Sequence, residues 1–238
     1  MNEFVEKLKC VVKGNVVVYI DAANLEQSVK DMWVVPKDIP DDQKHLAAED
    51  LRWSVDYKKL RDFWGEIGQH VQTRFYTADF ASPTHRKFLY FLDKRLSFKL
   101  ITKPLKQYLD HTADIPHRKA NFDVEIAVDA AFTIEDFDTL ILFSGDCDFE
   151  YLVKFLRGHG KTVIGFSRSG HIAKELPPAL SHYFDIADFR QEILRVGDLK
   201  KRRAQDQKIR GPAVDVIRHY CLMYPYYTYF CSKIKSCG

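Results

Sequence analysis

TLILFSGDCDFEYL, residues 139–152, is the stretch that decides the fold. Its opening apolar run reads as a strand buried on both faces, the pattern of a parallel sheet covered by helices on either side. Taken from Asp138, it is the most hydrophobic strand in the chain, which places it at the centre of a sheet. Ser144 and Gly145 then form a small-residue turn, and Gly145 lets the backbone approach a ligand closely. From Asp148 to Gly158 the spacing predicts a helix, stopped by Gly158 and Gly160 in the manner of a C-cap. Ser144 or Asp148 can cap its start.

The strand–helix alternation extends in both directions from this stretch. Downstream, KTVIGFS (161–167) is the next strand, HIAKELPPAL (171–180) a short helix and HYFDIAD (182–188) a last short strand. Upstream, NVVVYID (15–21), VQTRFYTADF (71–80) and SFKLITKPL (97–105) read as strands. Asp56 is the expected N-cap of a helix whose apolar stripe is Tyr57, Leu60, Phe63, Trp64 and Ile67. Ser82-Pro83 starts another, with Phe88, Leu89, Phe91, Leu92 and Leu96 facing inward and Pro83 in the first turn, where it is tolerated. Residues 31–50 read as a functional or disordered insertion. A polar stretch, 106–120, leads to a helix beginning near Phe122. This alternation predicts an α/β sandwich on a mostly parallel central sheet with right-handed crossovers. Such sheets bind ligands beyond the carboxyl ends of their strands, where Asp21 and Asp146 lie.

Composition sets the outer bounds. The chain has 238 residues, 46% hydrophobic and 29% charged, as in a soluble globular protein. No apolar run approaches a membrane span, and MNEFVEKLKCVVKG has no signal-peptide core. Five cysteines in a chain this long do not make a disulfide framework, so reduced thiols in a cytoplasmic protein are expected. Residues 1–14 read as a lead-in and 15–195 as the main domain. Residues 196–238 form a basic, Tyr- and Cys-containing extension: a stub of a second module, an element for homo-oligomer formation, or a poorly ordered end. Its His219, Cys221, Cys231 and Cys237 lack the CxxC pairing of a zinc site.

Net charge is only +3, so the distribution of charge carries the information. Lys94, Arg95, Lys99, Lys103, Lys106, Arg118 and Lys119 crowd one stretch, and a second basic run spans 195–210. Such clusters either track a phosphate backbone or form solvated surface.

The acidic residues are more specific. Asp21 ends an apolar strand and has Asn24 three residues on, so a carboxylate and an amide can meet over one point; the same Asp can also be a plain cap. Asp123 opens the helix in KANFDVEIAVD (119–129), where it either caps backbone N–H groups or points into a pocket. Asp129, six residues on, is turned about 120° away. That gives it a supporting role, orienting Asn24 or a basic residue, or a local hydrogen bond only. In SGDCDF a cap explains one aspartate and leaves the other at the end of a buried strand, costly without a partner. Together Asp21, Asp123, Asp146 and Asp148 would repel one another without a cation, and hard oxygen ligands suit Mg²⁺ or Mn²⁺.

IDAAN, KANFDVEIAVD and SGDCDF, in that order, resemble the signature of the NYN domain, a PIN-like ribonuclease group. The resemblance covers most of residues 15–190. It implies a three-layer Rossmann-like (PIN-like) sandwich that cleaves RNA at a metal site formed by Asp21, Asp123, Asp146 and Asp148, with Asn24 as supporting amide. Two glycines usual in the motifs are Ala22 and Ala120 here, and neither change removes a ligand.

The expected reaction is therefore metal-assisted hydrolysis of an RNA phosphodiester. Asp21 and Asp146 would hold the ion, and Asp123 and Asp148 would complete the site or serve as general bases. Ser144 and Asp129 would support the site. Lys103, Lys106, Arg118 and Lys119 would hold flanking phosphates. The alternative is an RNA-binding or regulatory protein with the same fold and little turnover. An aspartyl-phosphate mechanism would want a second Asp at position 23, which is Ala23. Cys147 between two acids makes a poor nucleophile.

Overall fold

The computed structural model of the chain describes residues 2–80, 82–104, 106–108, 117–119 and 121–198. The chain divides into a unit of residues 1–197 and a second of 198–238; the fold described is that of the first. The expected extension from residue 199 onward lies outside the described residues.

In chain order the unit begins with α1 (Glu3–Val11), β1 (Asn15–Asp21) and α2 (Ala22–Lys30), then β2 (Leu51–Val55), α3 (Tyr57–Ile67) and β3 (Gln69–Asp79). It continues with α4 (Pro83–Leu96), β4 (Lys99–Pro104), β5 (Lys106–Tyr108), β6 (His117–Lys119), α5 (Asp123–Phe132) and β7 (Thr139–Phe143). The last part is α6 (Glu150–Gly158), β8 (Thr162–Ser167), α7 (Leu176–Ala179), β9 (His182–Asp185), α8 (Arg190–Ile193) and β10 (Leu194–Asp198).

Six strands form one sheet in the order β4-β3-β1-β7-β8-β9, every neighbouring pair parallel. The strand of residues 139–143 is central, as its apolar run predicts, and all five of its residues are buried. Alternation along the strands fills two cores. Val16, Val18, Ile20, Ile141, Phe143, Ile164 and Phe166 face one side, where Leu8 of α1, Leu25 of α2, Trp64 of α3 and Leu92 of α4 meet them. Val17, Tyr19, Leu140, Leu142 and Val163 face the other, under Ile126 of α5, Val153 of α6 and Leu176 of α7. Three layers result, as in other doubly wound sheets. No helix among the described residues is long and apolar enough to cross a membrane.

Several boundaries differ from the expectation for physical reasons. Residues 31–50 are not an unstructured insertion: they run through short 3₁₀ turns, and Met32 and Val34 bury their side chains in the first core. Residues 51–55 and 194–198 pair as a separate two-stranded sheet, too short and too mixed in pattern to stand out beforehand. The helix expected over 171–180 is confined to Leu176–Ala179, because the backbone before it is used elsewhere: Ala173 N–H donates to Gly145 O at 2.9 Å. Phe91, expected to face inward, is exposed, while Leu92 and Leu96 of the same helix are buried. Residues 1–14 fold back as α1 and bury Leu8.

Candidate functional site

Strand order reverses direction at β1, which has β3 on one side and β7 on the other. In open α/β sheets the crevice at such a switch point, beyond the carboxyl ends of the strands, is where ligands bind. Asp21 is the last residue of β1, and Ser144, Gly145 and Asp146 follow β7 directly. Topology alone therefore delivers two of the four expected aspartates to that crevice.

Asp21 is only 7% exposed. Its Oδ1 accepts the backbone N–H groups of Ala23 at 3.1 Å and Asn24 at 3.3 Å, so it caps α2. Its Oδ2 accepts the side-chain amide of Asn24 at 2.6 Å. Burial pushes the carboxyl up to about 6; the bonds from Asn24 and Ala23 oppose that, and the nearby negative charge of Asp123 adds to it. Asp21 and Asp123 are thus electrostatically coupled.

The turn after β7 builds a second acidic group. Ser144, 1% exposed, accepts the N–H of Asp146 on Oγ at 3.2 Å, and Asp146 Oδ1 accepts the N–H of Asp148 at 3.2 Å. The cap is therefore Asp146, not Ser144 or Asp148, and it heads a 3₁₀ turn, Cys147–Phe149, that precedes α6. Asp146, Cys147 and Asp148 bring one ligand atom each within 4.8 Å of one another, the one such group among the described residues. Burial, then the charges of Asp146, Asp148 and Glu175, hold the Cys147 thiol above its ordinary range. The thiol stays protonated and ligates poorly, so the group offers hard carboxylate oxygens, a donor set that fits Mg²⁺ or Mn²⁺.

Among the described residues Asp146, Cys147 and Asp148 form the one compact group, and Asp21 and Asp123 stand outside it. The reason is local: Asp21 and Asp146 are each turned onto backbone N–H groups of their own turn. Asn24 links Asp21 to the turn that carries Asp146 and Asp148, since its Oδ1 also accepts the N–H of Gly145 at 3.5 Å. Gly145 is required there, because an added Cβ would lie 2.4 Å from His171 O and 2.7 Å from Ser167 Oγ.

Asp123 does not cap α5. The N-cap position is Phe122, and Asn121 just before it accepts the Asp123 N–H on Oδ1 at 3.0 Å; the Asp123 carboxylate has other partners. Asp129 is turned away from Asp123 and takes Arg74 Nη1 and the Tyr76 hydroxyl, both at 2.9 Å. Arg74 and Tyr76 escaped sequence reasoning; their place in an apolar strand beside β1 was the available signal.

Of the basic residues expected to hold RNA, Lys103 is engaged locally. It pairs with Glu125, donates to Asn121 O at 3.0 Å and lies 5.2 Å from the centre of the Phe122 ring. The antiparallel register of β5 and β6 sets Lys106 opposite Lys119 and Gln107 opposite Arg118; the side chains of Lys106, Arg118 and Lys119 lie outside the described residues. A cavity of about 460 Å³ lined by Asn15, Gln72, Arg74 and Glu135, among others, opens at the amino end of β1, remote from these carboxylates.

Comparison with known proteins converges on the same stretch. The NYN domain family matches residues 15–187. The chain is 37% identical over 99 residues to the low amplitude and bright protein LabA of Synechococcus elongatus, a match covering 41% of this chain and 53% of that protein. The match thus spans about half the length of that relative. A solved protein of unknown function from Vibrio parahaemolyticus, VPA0982, superposes with a TM-score of 0.54 at 21% identity, covering 77% of this chain and 97% of that one. That likeness is one of fold.

Proposed function

This chain belongs to the NYN domain family, and from that membership we propose that it is a ribonuclease hydrolysing RNA phosphodiester bonds with Mg²⁺ or Mn²⁺ as cofactor. The observation that carries the reading is the carboxylate pair of Asp146 and Asp148 at the end of the central strand, tied through Asn24 to buried Asp21.

Asp21, Asp123, Asp146 and Asp148 would hold the cation between them. When bound, the cation would polarise a non-bridging phosphate oxygen and lower the pKa of a water. Asn24 keeps the Asp21 carboxylate oriented, as partners behind a metal ligand do, and Ser144 does the same for the turn carrying Asp146. Asp123 and Asp148 are the candidate general bases: Asp148 is exposed and Asp123 partly exposed at the start of α5. Lys103, Lys106, Arg118 and Lys119 would hold the flanking phosphates, Lys103 after exchanging Glu125 for RNA.

A second reading, RNA binding with little turnover, draws on the caps: Asp21 and Asp146 already serve backbone N–H groups, a role that needs no catalysis. One assay separates the two. Full-length protein is incubated with single-stranded and structured RNA in Mg²⁺, Mn²⁺ or EDTA, with binding measured in parallel. Cleavage that EDTA abolishes supports the nuclease; binding with no cleavage in either metal supports the second reading.

A further inference from the structure

Tyr76 touches the candidate site from behind, through three separate contacts. It lies in β3 as the register partner of Asp21 in β1. Its ring meets that of Phe122, the residue before Asp123, at 6.2 Å and an interplanar angle of 61°. Its hydroxyl donates to Asp129 Oδ2, further along α5, at 2.9 Å. The side chain is fully buried, and burial holds the phenol well above its ordinary range, so it remains a hydrogen-bond donor.

The contacts at Phe122 and Asp129 lie about 10 Å apart along a helix axis at 1.5 Å per residue. One contact would let α5 pivot; two fix both its rotation and its axial position. Arg74, 6% exposed, meets the same Asp129 oxygen at 2.9 Å and holds its Nε against Gln72 at 2.9 Å. The half-buried carboxylate thus has its charge paired and its Oδ2 held by two donors. Tyr19 adds a third hold from β1, its hydroxyl 3.0 Å from Thr133 Oγ1, which in turn donates to Asp129 O at 2.7 Å.

We infer that Tyr76, Asp129 and Arg74 are positioning residues that set the approach of Asp123 to Asp21 and so tune cation affinity. The inference rests on the proposed metal site. None of the three contacts the ion; they act by fixing the helix whose first residue is Asp123. This differs from simple core packing because the Tyr76 hydroxyl can be removed with almost no change in buried apolar surface.

The test measures Mn²⁺ binding, by calorimetry on the full-length protein with the metal alone, for wild type, Tyr76→Phe, Asp129→Asn and the double variant. Crystal structures of wild type and Tyr76→Phe are compared as an independent readout. A Trp64→Phe variant, in the core on the other face of the sheet, controls for general destabilisation. The expected result is a loss of about tenfold or more in Mn²⁺ affinity for each single variant, in line with other residues that orient metal ligands. The double variant should lose little more than Asp129→Asn alone, because that change already weakens the bond that Tyr76→Phe removes, along with the Arg74 pair. Trp64→Phe should bind as wild type does, and Asp123 should be displaced relative to Asp21 in the Tyr76→Phe crystals. Wild-type affinity in Tyr76→Phe with Asp123 unmoved overturns the inference, as does an equal loss in Trp64→Phe. If wild type binds no Mn²⁺, the metal reading fails instead, and displacement of Asp123 alone decides the positioning role.

Discussion

Asn24 donates its side-chain amide to Asp21 at 2.6 Å and, from the other end of the same group, accepts the N–H of Gly145 at 3.5 Å. One amide thus ties the end of β1 to the turn after β7, the two places where the topology delivers carboxylates. Asn24→Ala removes both bonds while leaving the Asp21 cap on Ala23 and on the backbone of residue 24. Metal-dependent RNA cleavage should fall about 10- to 100-fold, with the circular dichroism spectrum unchanged. Initial rates under metal saturation check this.

Asp21 makes stability depend on pH in an unusual direction. Its folded-state value of about 6 lies above the 3.8 of an unperturbed aspartate, so the folded state holds the proton more tightly than the unfolded one. The group's contribution is complete below about pH 4 and is lost as pH rises through about 6, a difference of about 3 kcal/mol. Asp21→Asn keeps a capping oxygen and removes the charge. The variant sets an amide N–H against the donor of Asn24, so the pH dependence is the readout: in EDTA, its stability relative to wild type should rise by about 3 kcal/mol between pH 4 and pH 8. Urea unfolding across this pH range measures it.

Gly145→Ala tests how tightly the acidic turn is built in. The new methyl would meet His171 O at 2.4 Å and Ile172 Cα at 3.0 Å, and backbone cannot yield as a flexible side chain would. A cost of about 1–3 kcal/mol is expected, together with loss of cleavage, because Asp146 is the next residue. Thermal unfolding and the RNA assay read the two effects separately.

The lines between what was legible in the sequence and what was not follow the range of the interactions. Residues 139–143 announced a central strand because burial on both faces leaves an almost wholly apolar run. Asp56 and Ser82 announced helix starts because a cap is a local signal; both side chains accept the expected backbone N–H groups. The fold class and family were readable for the same reason, and so was the gathering of acids at the strand ends. The Tyr76–Asp129 bond was not, since it joins residues 53 positions apart through a strand neighbour that only the sheet order supplies. The backbone bonds that hold Asp21 and Asp146 in their turns were equally hidden, because they depend on which N–H groups each carboxylate meets.

Cys147 lies among the acids, yet its chemistry should be silent. Burial and the flanking charges of Asp146 and Asp148 keep the thiol protonated, which suppresses the nucleophilic thiolate. Iodoacetamide at neutral pH should label exposed Cys10 well before Cys147, as peptide mass spectrometry would show. Cys147→Ser should leave RNA cleavage unchanged; a large loss would mean that the thiol takes part.

The central claim is that the carboxylate of Asp146 serves a cation that cleaves RNA. Asp146→Asn isolates it, because asparagine can still cap the 3₁₀ turn while offering a far weaker ligand. RNA cleavage by wild type and variant is compared in Mg²⁺, Mn²⁺ and EDTA, with folding verified for both. The expected result is EDTA-sensitive cleavage by wild type and a loss of more than about a hundredfold in the variant. Undiminished cleavage by Asp146→Asn would contradict the account.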